Sequence, residues 1–380
     1  MTISYKELAT KGVQGLTPYQ PGKPIEELER ELGISDSLKL ASNENPLGPS
    51  HKVQDVLKQN LSSLHLYPDG SAHLLRQRLA QEHQLLMSQI TLGNGSNDVL
   101  ELVARAYLTD KDSAVFSEYA FAVYPIVTQA IGARAIVAKA YPAEHEEMPY
   151  GHDLKAIADA VDATTKVIFL ANPNNPTGTW IEPAALYEFF NKISESVIIV
   201  LDEAYFEYMP KTLQPESVKW LAEFPNLIIT RTFSKIHALA GLRVGYAASG
   251  EAIADMLNRV RQPFNVNTLA QLAACAALDD QEHITKSVFM NSFSLRLLLR
   301  GLDDLNLDYI PTIGNFITVD FKREAATIYS ALLHQGVIVR PLANYGLPNH
   351  LRITIGSKQQ VERALMALDI VLNDPQAAGI

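Results

Sequence analysis

Apolar and polar positions along this chain switch between two periods. Short runs rich in Val, Ile, Leu and Ala fall at Ala114–Ser117, Ala133–Ala140, Lys166–Ala171, Val197–Leu201, Asn226–Thr230 and Val244–Ala248. They read as strands. Between several of them the apolar spacing lengthens, which predicts helices over Asp153–Val161, Pro183–Ile193 and Ser217–Glu223. Ile90–Leu108 reads as a strand, a G-N-G-S turn and an amphipathic helix with Val99, Leu102, Val103 and Ala106 at helical spacing. This alternation predicts an α/β fold, with a mostly parallel sheet covered by helices on both faces. Sites in such folds collect at the carboxyl ends of the strands.

Helical patterns at Glu251–Arg261, Thr268–Leu278 and Glu282–Leu305 then lead into a second, smaller pattern. Ile317–Phe321, Ala325–Gln335, Val337–Arg340, Leu351–Ile355 and Ser357–Leu372 alternate as an α+β unit, and Ser357 with Gln360 forms a capping box for the last helix. At the other end, G-L-T-P-Y-Q-P-G-K-P from Gly15 to Pro24 excludes regular structure and reads as an extended arm or lid. A short helix, Ile25–Leu32, follows, and then a strand-like K-L-A-S runs into the turn N-E-N-P. The expected division is an arm over 1–48 that packs with the small domain, a large domain over 49–280 and a small domain over 281–380.

A chain of 380 residues is too long for one ordinary core, in keeping with that division. A net charge of −10 argues against nucleic acid or a membrane surface as partner. An anionic substrate would need a local basic pocket set against that field. The lone Cys275 rules out an internal disulfide and fits a reducing cytoplasm. The N-terminus lacks the apolar core of a signal peptide, and no run approaches membrane-spanning length.

Candidate chemistry centres on I-T-R-T-F-S-K-I-H-A-L-A-G-L-R-V-G-Y, Ile229 to Tyr246. Lys235 stands in an apolar loop between two strand-like runs, where burial would favour its neutral amine. A neutral amine can form a Schiff base with an aldehyde. Arg243 offers a planar fork suited to a phosphate, and G-N-G-S with Asn97 opens a helix whose N–H groups suit the same anion. The S-K-x-x-x-L-A-G-L-R-x-G-Y pattern resembles the lysine signature of fold-type I aminotransferases, which use pyridoxal phosphate. The resemblance covers nearly the whole chain and is nearest to the members acting on histidinol phosphate.

That resemblance implies roles for individual residues. Lys235 is the anchoring and acid–base lysine. Asp202, at the end of an apolar strand, would pair with a protonated pyridine nitrogen, worth about 4 kcal/mol at ~4 Å and an effective dielectric of ~20. Tyr205 and Asn175 would meet the ring oxygen. Gly95, Ser96, Asn97, Ser234 and Arg243 would hold the cofactor phosphate, and Tyr67 would reach it from the second subunit of a homodimer with shared active sites. Phe121 would stack on the ring, with Tyr124 behind it and Tyr119 as the alternative. Tyr19, Asn45, Arg340 and Arg352 would contact substrate. Read by residue chemistry alone, Asn45 is equally an ordinary Asn-Pro turn and Tyr67 a turn aromatic. The implied reaction exchanges amino groups between histidinol phosphate and 2-oxoglutarate or glutamate, with no metal. The motifs fit three other readings: an aromatic-amino-acid aminotransferase, a decarboxylase of a phosphorylated amino acid and a non-catalytic sensor of the same fold. An intact Lys235 and Asp202 disfavour the last.

Overall fold

A computed structural model describes residues 4–373. In chain order its strands are β1 (Leu38–Lys39), β2 (Ile90–Gly93), β3 (Ser113–Ser117), β4 (Arg134–Ala138), β5 (Thr165–Ala171), β6 (Ile198–Asp202) and β7 (Leu227–Thr232). After them come β8 (Gly245–Ser249), β9 (Asp308–Ile310), β10 (Phe316–Asp320), β11 (Val337–Ile338), β12 (Arg340–Pro341) and β13 (His350–Thr354).

Seven of these form one sheet in the order β2-β8-β7-β6-β5-β3-β4. Only β8 runs against the rest, antiparallel to both β2 and β7. Val167–Leu170 and Ile199–Leu201 are fully buried, as strands sandwiched between helical layers must be. One apolar core lies on each face of this sheet. Ile168, Leu170, Ile199, Leu201 and Ile229 point into one, and Val167, Phe169, Val200 and Ile228 into the other. That alternation is the period of two expected of strands.

The second sheet is antiparallel, in the order β12-β13-β10-β9. Its core includes Ile317, Val319, Leu351 and Ile353, and it also takes in Leu38 and Leu40 from the N-terminal segment. The link is covalently distant but tight, since β1 pairs in parallel with β11. Residues 38–40 of the N-terminal segment therefore pack with the small-domain elements. The helix Gln281–Asp304 joins the two regions. Its Ile284 and Val288 pack beside Tyr205 and Phe316, and its Leu298 and Leu302 enter the small core.

The expected strand Val337–Arg340 is two short strands, because residues 337–338 pair with β1 while residues 340–341 pair with β13. The Ser357–Gln360 capping box forms, with reciprocal bonds of 2.8 and 3.4 Å. No helix among the described residues is long and apolar enough to cross a membrane.

Candidate active site

The carboxyl ends of β5, β6 and β7 open into a cavity of about 200 Å³. Asp202, the last residue of β6, forms its floor and is 4% exposed. Its Oδ2 accepts from the Tyr124 hydroxyl at 2.9 Å, and its Oδ1 accepts from the Thr230 hydroxyl at 2.9 Å. Burial pushes this carboxyl up from its ordinary range, while the two hydroxyls and the Ala204 N–H hold it back. No cation pairs with it among the described residues, so it is a buried carboxyl held only by neutral donors. Beside it, the turn after β5 carries Asn175 to the cavity wall, between cis Asn172–Pro173 and cis Asn175–Pro176.

Lys235 follows β7 and enters the same cavity. Its Nζ donates to the Ser42 carbonyl at 3.0 Å and lies 5.8 Å from the Tyr205 ring centroid. Burial first, and then the charge of Arg352, bring this amine down to about 7. Burial of this loop therefore produces an amine that titrates near physiological pH, with a substantial neutral fraction there. Tyr205 is buried too, which pushes its phenol up to about 12 and keeps it protonated.

An anion cradle lies at the start of the helix Ser96–Tyr107. Gly95 adopts φ +83°, and a Cβ there would stand 2.2 Å from Arg243 Nη2. Only glycine lets the guanidinium lie against this turn. Arg243 itself takes a left-handed conformation, φ 58°. Its Nη1 donates to Ser234 Oγ at 3.3 Å and to the Ala240 carbonyl at 2.9 Å. Ser96, Asn97, Ser234 and Arg243 all line the cavity. The first N–H groups of a helix have no intrahelical partners, so this helix start suits an anion.

The mouth is built by the small sheet and the arm. Arg340 on β12 stands directly opposite Arg352 on β13. Like charges placed opposite each other on neighbouring strands repel unless an anion lies between them. Arg352 is buried, with Nη1 on Asn175 Oδ1 at 2.5 Å, Nη2 on the Ala41 carbonyl at 2.7 Å and Nε without a partner. Arg340 is buried with its guanidinium 5.7 Å from the Tyr19 ring centroid. Arg340, Arg352, Arg243 and Lys235 all line the cavity, and Asp202 is the sole acid that does. This is a basic pocket inside an acidic protein.

The structure thus brings Lys235, Asp202, Tyr205, Asn175, Ser234, Arg243, Ser96, Asn97, Phe121, Tyr19, Arg340 and Arg352 to one cavity, with Gly95 directly behind. Phe121 lines it, whereas Tyr119 turns away to pack edge-on against Tyr150 at 5.4 Å. Asn45 is held differently. Its amide donates to the Ile236 carbonyl and to Ser287 Oγ, its Oδ1 accepts from the Leu47 N–H, and it does not line the cavity. Tyr67 is 84% exposed and stacks on Phe264 at 4.9 Å, outside the cavity of its own chain.

Sequence reasoning missed Asn43, which lines the cavity, and the hydroxyls of Tyr124 and Thr230 that hold Asp202. It also missed a buried ion pair behind the site. Arg231 of β7 contacts Glu203 Oε2 at 2.8 Å and lies 3.7 Å over the Phe206 ring.

Comparison with known proteins gives a consistent picture. The family model for aminotransferase class I and II matches residues 35–368. The chain is 53% identical to histidinol-phosphate aminotransferase 2 of Methylococcus capsulatus over 97% of its own length and 100% of that protein. It is 54% identical to histidinol-phosphate aminotransferase 2 of Pseudomonas fluorescens over 98% of its own length and 99% of that protein. Among solved structures, it is similar to the histidinol-phosphate aminotransferase of Sinorhizobium meliloti in complex with pyridoxal-5'-phosphate. That match has a TM-score of 0.86 and 26% identity, and covers 96% of this chain and 98% of the other.

Proposed function

The chain belongs to the class I and II aminotransferases, and on that premise we propose that it transfers the amino group of L-histidinol phosphate to 2-oxoglutarate. The products are imidazole-acetol phosphate and L-glutamate, a step of cytoplasmic histidine biosynthesis. The observation that carries this reading is the facing pair Arg340 and Arg352, buried at the mouth with no acid beside them among the described residues. Guanidinium groups bind phosphate and carboxylate alike through two parallel N–H donors. One pair therefore suits a phosphorylated donor and a dicarboxylate acceptor.

The residues also fit pyridoxal phosphate. The cradle of Ser96, Asn97, Ser234 and Arg243 matches a phosphate, and the Gly95 position admits no side chain. Asp202 is a buried carboxyl lacking a cation among the described residues, Lys235 is an amine brought down to about 7, and Phe121 adds an aromatic face. Bound there, the cofactor supplies an aldehyde that reacts with amines and a ring that withdraws electrons from the substrate carbon bearing nitrogen.

The protein's own groups do the rest. Asp202 holds a proton on the ring nitrogen, the form in which the ring withdraws electrons best. Lys235, near neutral, takes the substrate α-proton and returns it, acting as base and then acid. Arg340 and Arg352 orient the substrate by its anionic groups. Tyr19 and the arm cover the mouth and limit water. Tyr67, exposed on the surface of its own chain, serves the neighbouring site of a homodimer.

The test is direct. Purified protein loaded with pyridoxal phosphate is given L-histidinol phosphate and 2-oxoglutarate, and L-glutamate is measured beside released carbon dioxide. Stoichiometric glutamate without carbon dioxide is expected. Carbon dioxide release, or glutamate formed only when L-phenylalanine replaces histidinol phosphate, would overturn the assignment.

A further inference from the structure

Three consecutive residues of the N-terminal segment each hold a different side chain of the cavity. The Ala41 carbonyl accepts from Arg352 Nη2 at 2.7 Å, and the Ser42 carbonyl accepts from Lys235 Nζ at 3.0 Å. Asn43 Nδ2 donates to the Tyr205 hydroxyl oxygen at 2.8 Å. Only this last contact is made by a side chain, so the sequence can tune it.

The direction of that bond is fixed by the rest of the Asn43 environment. Asn43 is 1% exposed and left-handed at φ 55°, a conformation asparagine tolerates. Its N–H donates to Thr354 Oγ1 at 2.9 Å, which leaves the Thr354 proton to reach Asn43 Oδ1 at 3.3 Å. Its carbonyl accepts from Asn315 Nδ2 at 2.9 Å. With Oδ1 committed to Thr354, the amide nitrogen must face Tyr205. The Tyr205 oxygen then accepts from Asn43, and its single proton cannot return along the same line. That proton is left for the cavity, which Tyr205 lines.

We propose that Asn43 is a positioning residue that makes Tyr205 a hydrogen-bond donor into the cavity, available to the phenolic oxygen of bound pyridoxal phosphate. The proposal rests on the reading of the cavity as a pyridoxal phosphate site. It ties the cofactor's electronic state to the docking of the N-terminal segment on the small sheet. Burial of Tyr205 supports it, since a phenol pushed up to about 12 keeps its proton.

The experiment compares Asn43→Gly with Asn43→Asp. Glycine keeps the left-handed backbone and deletes the amide. Aspartate keeps the shape but replaces the donor with a group that accepts the Tyr205 proton. The readout is the pH midpoint at which the absorbance of the bound cofactor changes. A donor to a phenolic oxygen favours the anion, so its loss raises the midpoint, by about one unit or more. Both variants should show this rise, with kcat falling about tenfold and the donor KM nearly unchanged. In a Tyr205→Phe background, where the midpoint is already raised, Asn43→Gly should add nothing. Thr354→Val, which releases the amide without touching the cavity, should move the midpoint the same way by less.

A merely structural Asn43 would leave Asn43→Asp with the wild-type midpoint, or make its effect additive with Tyr205→Phe. Either result overturns the proposal. Wild-type protein that binds no pyridoxal phosphate would overturn the reading of the site and this proposal with it. A loaded protein whose midpoint does not move overturns the role of Asn43 alone.

Discussion

Two buried arginine sites in this protein look alike by burial and differ in what faces them. Behind the large sheet, Arg231 meets Glu203 at 2.8 Å and stacks over Phe206. At the cavity mouth, Arg340 faces Arg352, and neither has a carboxylate partner among the described residues. Burying a charge costs several kcal/mol unless a partner offsets it. At the back the partner is built into the chain, so the Arg231 charge is offset within the fold, with Glu203 Oε1 left without a hydrogen bond among the described residues. At the mouth the partner is missing, and the fold carries the repulsion until an anion arrives. An uncompensated buried cation, more than burial itself, marks the binding site.

The sharpest way to break this comparison is to remove the built-in partner. Glu203→Gln should strand Arg231 and cost about 3–5 kcal/mol of stability. Denaturant unfolding should show this as a lowered midpoint, with donor preference unchanged in the folded fraction. Arg352→Ala should do the opposite. Its loss of kcat/KM should approach a few hundredfold, about 3 kcal/mol, while its unfolding midpoint moves far less than that of Glu203→Gln. Relief of the Arg340 repulsion offsets the two hydrogen bonds lost. Arg340→Ala should lower kcat/KM for histidinol phosphate about 10- to 100-fold, roughly 1.4–2.7 kcal/mol, and spare L-phenylalanine. Equal losses for both donors would remove Arg340 as a reader of phosphate.

A separate effect is one of pH. In the cofactor-free fold Lys235 lies at about 7, below the ordinary lysine value of 10.5. Between those values the unfolded chain binds more protons at this residue than the folded one, so stability should rise with pH from about 7 to 10.5. Unfolding curves of wild type and Lys235→Met across that range should differ by this slope. Arg352→Ala, which removes a neighbouring positive charge, should narrow the window from its lower end.

How much of this was legible in the sequence depended on whether the signal was local. Asp202 and Lys235 were readable because each ends or follows an apolar strand, and strand ends gather at one edge of a parallel sheet. The Arg340–Arg352 pairing was only half readable. Each arginine marks a strand, but their direct opposition is set by the β12–β13 register across 12 residues. The N-E-N-P turn shows where such reading fails. Asn43 and Asn45 are chemically identical and two residues apart, so a strand-like pattern treats them alike. The left-handed Asn43 breaks that equivalence, sending one amide to Tyr205 and the other to Ile236 and Ser287. Arg231 and Glu203 were silent for a related reason. Each sits in a motif read for its neighbour, and the pair forms only because β6 and β7 lie side by side.

The central claim is that the mouth's uncompensated arginines select a phosphorylated amine. Its most direct test is a half-reaction without keto acid. Cofactor-loaded wild type and Arg340→Ala are each mixed with L-histidinol phosphate or L-phenylalanine, and the rate of change in cofactor absorbance is followed. Wild type should convert with histidinol phosphate at least tenfold faster than with phenylalanine, and Arg340→Ala should lose most of that preference while its phenylalanine rate stays the same. Equal rates with both donors in wild type, or a preference untouched in Arg340→Ala, would contradict the account.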